Sequence, residues 1–362
     1  MGVHLVNEIE IEYVSNNNLL YSKYVLVADI GGTNTTIGIC GISENIPYLM
    51  FFKRYNSKKL NSIIHPIKEM LKFAKNNHAI EIKVSCFGCA GVNIKENIIN
   101  LTNLNWKINI NEIKKETGLD IVHIINDFQA IGYGINYLIK YRPADILVIR
   151  PGINEKTLEK TKAIIGAGTG LGKSILYFNN HNGIYESLPS EGGHSDFPIK
   201  DIFEFELINY IKEKKNLQGP LRYEDILSGQ GIESIYSFLK NTGNYGKTKY
   251  DEIIERSMDK PPAISKYRNI DLKCRETFRL FGMFYGRCAK NFALDSLALG
   301  GVYIAGGIAM KNKGLIESKE FSDEFIYCQT QKAVLKSIPV YLILDYNVSL
   351  YGAAFYSIVN SL

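Results

Sequence analysis

The stretch Val25-Leu-Val-Ala-Asp-Ile-Gly-Gly-Thr-Asn-Thr-Thr-Ile-Gly-Ile-Cys40 is an apolar run, a Gly-Gly turn carrying Thr and Asn, and a second apolar run. That order reads as two strands joined by a tight hairpin. Tyr48 to Tyr55 supplies a third strand, so the chain opens on an antiparallel set of three. The same order returns in Ala163-Ile-Ile-Gly-Ala-Gly-Thr-Gly-Leu-Gly-Lys-Ser-Ile-Leu-Tyr177. A glycine-rich hairpin that occurs twice predicts two related α/β lobes, and a cleft between lobes is a common place for a small ligand.

Working outward, helical periodicity marks 63–73, 108–117, 128–139, 202–212, 276–297 and 350–359. Buried strands are predicted at 82–87 and 302–304, and further strands at 121–125 and 339–344. Residues 1–23 are polar, with three asparagines at 16–18, and read as an extension outside the main fold. Residues 241–271 contain Gly243, Gly246, Pro261 and Pro262 and read as a loop-rich insertion.

Composition narrows the class. With 362 residues, 46% hydrophobic and 22% charged, the chain can bury a large core and is neither disordered nor fibrous. A net charge of +5 without a Lys/Arg block suits anionic small substrates better than a nucleic-acid backbone. Six cysteines are too few for a disulfide framework, which points to a reducing, cytoplasmic setting. Cys86 and Cys89 form the one CxxC, but on a strand such positions face opposite ways and make a poor metal pair. The apolar run 297–310 is short and broken by four glycines, so no membrane span is expected.

Several constellations can carry chemistry. In Asp29-Ile-Gly-Gly-Thr-Asn34, Gly31 and Gly32 allow backbone N–H groups to approach a phosphate, and Thr33 adds a donor. Asp29, at the strand end, could hold Mg²⁺ directly or through water; the plain alternative is a tight turn with Asp and Asn as turn formers. Gly166-Ala-Gly-Thr-Gly-Leu-Gly172 spends four glycines in seven residues, too many for an ordinary hairpin. Lys173-Ser174 is only a near miss of a P-loop. Asp127, in Ile125-Asn-Asp-Phe128, sits where strand gives way to helix, a place for a general base or for a plain N-cap. Glu191 and His194, in Ser190-Glu-Gly-Gly-His194, could bind a metal or satisfy sugar hydroxyls. Glu224 lies near a helix that Gly229 would end, and Gly306-Gly307 permits close backbone approach at a strand end.

The order and spacing of DIGGTN (29–34), TNLNW (102–106), INDF (125–128), GAGTGLG (166–172), SEGGH (190–194), EDILSG (224–229) and IAGGI (304–308) resemble the bacterial-type glucokinases, sugar kinases of the actin/hexokinase superfamily. The resemblance spans residues 24–357. It implies two ribonuclease-H-like lobes with an active-site cleft between them: a small domain over 24–137 completed by the helix 348–362, and a large domain over 138–347. It further implies ATP-dependent phosphorylation of glucose at the 6-hydroxyl, with ATP and Mg²⁺ as cofactors. Residue by residue, Asp127 matches the catalytic base. Asn103, Asn126, Asp127, Glu191, His194 and Glu224 match glucose-binding positions. Asp29, Gly31, Gly32, Thr33, Asn34, Gly168, Thr169, Gly170, Gly306 and Gly307 match the nucleotide-binding motifs, with Asp29 toward the metal. A homodimer is implied by the family alone. Ser190 departs from the pattern, standing where a glycine is usual.

Two other classes fit the sequence less well. A non-catalytic sugar regulator would be supported by a DNA-binding domain, but residues 1–23 are too few for a helix-turn-helix. An assembly or chaperone ATPase has no use for Glu191, His194 and Glu224 as readers of hydroxyls.

Overall fold

The computed structural model describes residues 3–6, 9–14, 20–90, 93–95, 97–101, 104–153 and 159–362. The chain forms two compact units, one of residues 1–145, 181–189 and 345–362, the other of 146–180 and 190–344.

The first unit is built on a sheet of β1 (Val3–Val6), β2 (Ile9–Tyr13), β3 (Lys23–Ile30), β4 (Asn34–Ser43), β5 (Ile46–Asn56), β6 (Val84–Cys89) and, after three short strands β7 (Asn93–Lys95), β8 (Ile98–Asn100) and β9 (Lys107–Asn109), β10 (Ile121–Asn126). The spatial order is β1-β2-β5-β4-β3-β6-β10. β3, β4 and β5 are antiparallel, as the hairpin signal predicts, and β6 and β10 run parallel to β3. β6 is wholly buried and β3 is buried over Val25–Ala28 and at Ile30, so β3 reads there as a continuous apolar run rather than an alternating one.

One sequence expectation fails here. Residues 9–13 are not outside the fold, because β2 pairs with β5 through Glu12↔Phe52 and Tyr13↔Phe51. Ile11 is buried, and Tyr13 packs on Phe51 and Phe73. The alternation Ile9-Glu-Ile-Glu-Tyr13 is the strand signal in this stretch.

The helix Val348–Ser361 lies across the helix Asp127–Tyr141. Their backbones approach so closely that a Cβ on Gly352 would stand 1.7 Å from Ala130 O, and one on Gly134 would stand 2.3 Å from Val348 O. Segment 181–189, with most of β14 (Ile184–Ser190), is held to this unit by Asn136, which exchanges hydrogen bonds with the Tyr185 backbone (2.7 and 2.8 Å), and by Gln129 Nε2 donating to Ser187 O (2.9 Å).

The second unit repeats the plan. β11 (Ile146–Arg150), β12 (Lys162–Ala167), β13 (Leu171–Asn179), β15 (Val302–Ala305) and β16 (Val340–Ile343) lie in the order β11-β16-β15-β12-β13. β12 and β13 form an antiparallel hairpin, and β15 and β16 continue parallel to β12. The 24-residue helix Leu272–Asp295 runs through the core. Its buried Arg287 is met by Glu204 at 2.7 Å through two nitrogens and by Glu324 at 3.3 Å, so the buried charge is paired. The stretch read as loop, 241–271, carries helices Lys249–Glu255 and Lys260–Tyr267 instead. Pro261 and Pro262 fall in the first turn of the latter, where a missing N–H costs no intrahelical bond.

Candidate active site

In the first unit, β3, β6 and β10 end together. The register aligns Asp29, Gly88 and Ile125 in one row and Ile30, Cys89 and Asn126 in the next. Asp29 and the Asn126-Asp127 pair thus leave the same carboxyl edge, two strand spacings or about 10 Å apart. Between them Gly88 contributes no side chain, and a Cβ there would already touch Ala130 Cβ at 3.0 Å. Cys89, fully buried, registers both charges: burial first, then Asp127 and Asp29, push its thiol well above the usual range.

Asn126, not Asp127, is the N-cap. Its Oδ1 accepts from Phe128 N (2.9 Å) and Gln129 N (3.2 Å), which leaves its amide nitrogen as a donor. Asp127 is the first helical residue and is half-buried; its Oδ1 also accepts from Phe128 N at 2.9 Å. The cap that competed with a general base in the sequence is therefore filled by its neighbour.

The turn after β3 is closed by Gly31 N–H donating to Asn34 O at 3.0 Å, and Thr33 and Asn34 are exposed. Ser57, the first residue after β5, holds this turn: its N–H donates to Thr33 O (3.0 Å), its hydroxyl donates to Gly31 O (2.7 Å), and Thr35 Oγ1 lies 2.9 Å from that hydroxyl. Asp29 Oδ2 accepts from Ser349 Oγ at 2.5 Å. Burial raises the Asp29 pKa, opposed by Ser349 and by the Arg54 charge. Such a carboxylate fits a divalent ion that arrives on a polyphosphate, since Mg²⁺ takes one or two carboxylates, phosphate oxygens and water. No group of three or more His, Cys, Asp or Glu suited to a resident metal occurs among the described residues.

The second unit gathers its own set. In the β12–β13 turn, Gly168 N–H donates to Gly170 O (2.8 Å), and Gly229 N–H donates to Gly168 O (3.0 Å). Glu224, on the short helix Tyr223–Ile226, accepts from Leu171 N at 3.0 Å. A Cβ on Gly170 would stand 2.4 Å from Glu224 Oε2, so only glycine leaves the carboxylate room. His194 sits between two acids, Nδ1 3.5 Å from Glu191 Oε2 and Nε2 3.8 Å from Glu224 Oε1. Gly193 lets this loop lie on β13, where a Cβ would be 2.0 Å from Leu171 O. Gly306, at φ 91°, presses on Ala167 O, which seats Gly306-Gly307 beside the Gly168–Gly170 turn. Gly229 begins the helix Gly229–Asn241, capped by Ser228, rather than ending one.

Each unit thus brings its predicted residues together: Asp29, Gly31 to Asn34, Asn126 and Asp127 in the first, and the 168–170 turn, Glu191, His194, Glu224, Gly306 and Gly307 in the second. Asn103 lies outside the described residues. Lys173 is not a phosphate lysine; it is buried under the 190–194 loop, 4.8 Å from the Tyr223 ring centre and 4.9 Å from that of Phe292. Ser57 and Ser349 were missed by sequence reasoning, since no motif surrounds either.

An antiparallel hairpin with a glycine-rich turn, extended by parallel strands and present in both units, is the architecture of the actin/hexokinase-type sugar kinases. Glucokinase from Balamuthia mandrillaris, solved in complex with glucose, matches with a TM-score of 0.79 at 21% identity over 92% of this chain and 93% of its own. A ROK-family glucokinase from Streptomyces griseus, solved with glucose and AMPPNP, matches with a TM-score of 0.63 at 18% identity over 91% and 98%. A family model described as Glucokinase covers residues 26–359. The glucokinase of Nostoc punctiforme is 35% identical over 345 residues, 91% of this chain and 97% of its own. The chain belongs to the glucokinase family, enzymes that phosphorylate glucose. No helix among the described residues is long and apolar enough to cross a membrane.

Proposed function

We propose that this enzyme transfers the γ-phosphoryl group of ATP to the 6-hydroxyl of glucose, with Asp127 as general base. The observation that carries this reading is the common edge of β3, β6 and β10, which presents Asp29, Asn126 and Asp127 together. Asp127 takes the proton of the sugar hydroxyl, whose oxygen bonds to the γ-phosphorus as the bridging oxygen leaves with ADP. Asn126 donates its amide N–H to the sugar, its carbonyl side being held by the cap. Glu191, His194 and Glu224, with Asn103, read the other hydroxyls. His194, flanked by carboxylates, is suited to donate toward a hydroxyl rather than to bind an anion. Gly31 to Asn34 and Gly168 to Gly170 offer backbone N–H groups to the phosphates, and Gly306-Gly307 receives the nucleoside. Asp29 would hold Mg²⁺, directly or through water, and the ion would supply charge neutralisation to the phosphates.

The donor is supported by the AMPPNP bound in the Streptomyces griseus structure, and the acceptor by the glucose in both neighbours. Cysteines that are free and mostly buried fit a reducing cytoplasm, and a homodimer is carried over from the family resemblance. The test is a panel of sugars against donors with ADP release as the signal. Glucose-dependent release from ATP supports the reading. Sugar-independent release would replace it with an ATPase, and no release with a sugar sensor. Light scattering on the purified protein reads the oligomeric state.

A further inference from the structure

Ser57 lies outside every motif that led to the functional reading, yet it is completely buried and all three of its polar groups are engaged. Its N–H and hydroxyl hold the turn at Thr33 O and Gly31 O, and Thr35 Oγ1 meets the same hydroxyl. Its carbonyl faces the other way and accepts from Trp106 Nε1 at 3.2 Å. Trp106 is itself buried, closes the Thr102–Trp106 segment and leads directly into β9. One residue therefore has two hydrogen bonds into the phosphate turn and one into the segment that the sugar motif occupies.

We propose that Ser57 is a positioning residue that sets the Gly31–Asn34 turn for phosphate and transmits its occupancy to Trp106. This rests on the reading of that turn as a phosphate site. The turn has four residues and two glycines, whose backbone is little restricted by side chains, and the Ser57 hydroxyl and N–H hold it in one conformation. A buried hydroxyl that donates to one backbone oxygen and meets a second hydroxyl cannot follow the turn without moving its own peptide, to which Trp106 is bound. Ala at this position keeps the carbonyl that Trp106 binds and removes only the hold on Gly31 and Thr35.

Trp106 is the sole tryptophan of the chain, so its emission reports this one place. The experiment titrates wild type and Ser57→Ala with ADP and with AMPPNP, following Trp106 emission and, separately, calorimetric affinity, alongside kcat and KM for ATP and for glucose. In wild type, nucleotide changes the emission. In Ser57→Ala, the unliganded spectrum is retained, the nucleotide response falls to less than half because only the backbone N–H bond to Thr33 O remains, KM for ATP rises about tenfold or more, and KM for glucose moves less than threefold. Ser57→Ala that keeps the full response, or keeps wild-type nucleotide affinity, overturns the proposal. So does a wild type that binds nucleotide with silent Trp106. A wild type that binds no nucleotide overturns the phosphate reading instead. Should Ser57→Ala fail to fold, Thr35→Val preserves shape and removes one bond to the same hydroxyl. It must then raise KM for ATP at unchanged KM for glucose, and failure to do so overturns the proposal.

Discussion

Ser349 donates its hydroxyl to Asp29 Oδ2 at 2.5 Å across 320 residues of sequence. The donor stands at the second position of the last helix and the acceptor at the end of the third strand. The carboxylate proposed to face the metal is thus oriented by the far end of the chain.

Ser349→Ala removes that donor and leaves burial opposed only by Arg54, so the Asp29 pKa rises further. Asp29 then stays protonated to higher pH, and the acid limb of the kcat/KM profile for ATP shifts upward. A hydrogen bond to a charged group contributes about 1.5–3 kcal/mol. In the folded protein a carboxylate with a raised pKa is disfavoured as pH rises through that pKa. The variant's loss in urea melts is therefore larger at neutral pH than near pH 4. An unshifted limb would show that Ser349 does not act through Asp29.

Asp127→Asn retains the size of the side chain and its place in the first helical turn but cannot accept the sugar proton. Turnover is expected to fall by about 10²–10⁴-fold, with glucose binding still measurable by calorimetry. A variant with near-normal kcat would remove Asp127 from the chemistry.

Gly170→Ala places a methyl 2.4 Å from Glu224 Oε2 and forces that carboxylate away from Leu171 N and His194. Displacement of a substrate contact by an ångström can cost about 10–100-fold, here in kcat/KM for glucose. The melting temperature should move little, since Gly170 is only partly buried and lies in a turn. Gly168→Ala, whose Cβ meets nothing within 4 Å, is the control and should perturb glucose kinetics far less.

Lys162 is 2% exposed, with its ammonium 3.3 Å from Gly300 O, and burial pulls its pKa down to about 8. Because the folded pKa lies below the unfolded one, the penalty is full below pH 8, fades above it and vanishes once the unfolded chain is also neutral. Lys162→Met should therefore stabilise by about 1–2 kcal/mol below pH 8, the gain shrinking toward pH 10.5. Paired denaturant melts at pH 7 and pH 10 check the sign.

The parts of the fold that follow from local pattern were readable: both hairpins from their glycine turns, the long helices from periodicity, and the buried strands from unbroken apolar runs. Errors arose where local composition and tertiary context disagree. Pro261 and Pro262 signal loop, yet at a helix start they are permitted; Gly229 signals a stop, yet with Ser228 before it a helix begins. At the site, the residues inside motifs are legible, and Asp127 has an N-cap as its plain alternative, but it is the folded arrangement that gives the cap to Asn126. Ser57, Ser349 and the buried position of Lys173 depend on contacts between residues far apart in sequence, for which neither spacing nor periodicity leaves a trace.

The crossing of Gly352 over Ala130 has a consequence for how the molecule is made. A ribosome finishes the strands and helix bearing Asp127 more than 200 residues before it releases the partner that covers them. Throughout that interval the nascent chain exposes the face meant for the final helix. The first unit therefore cannot close before the chain has been made past residue 348, and a message truncated before codon 348 yields a polypeptide with all its motifs and no helix to cover them.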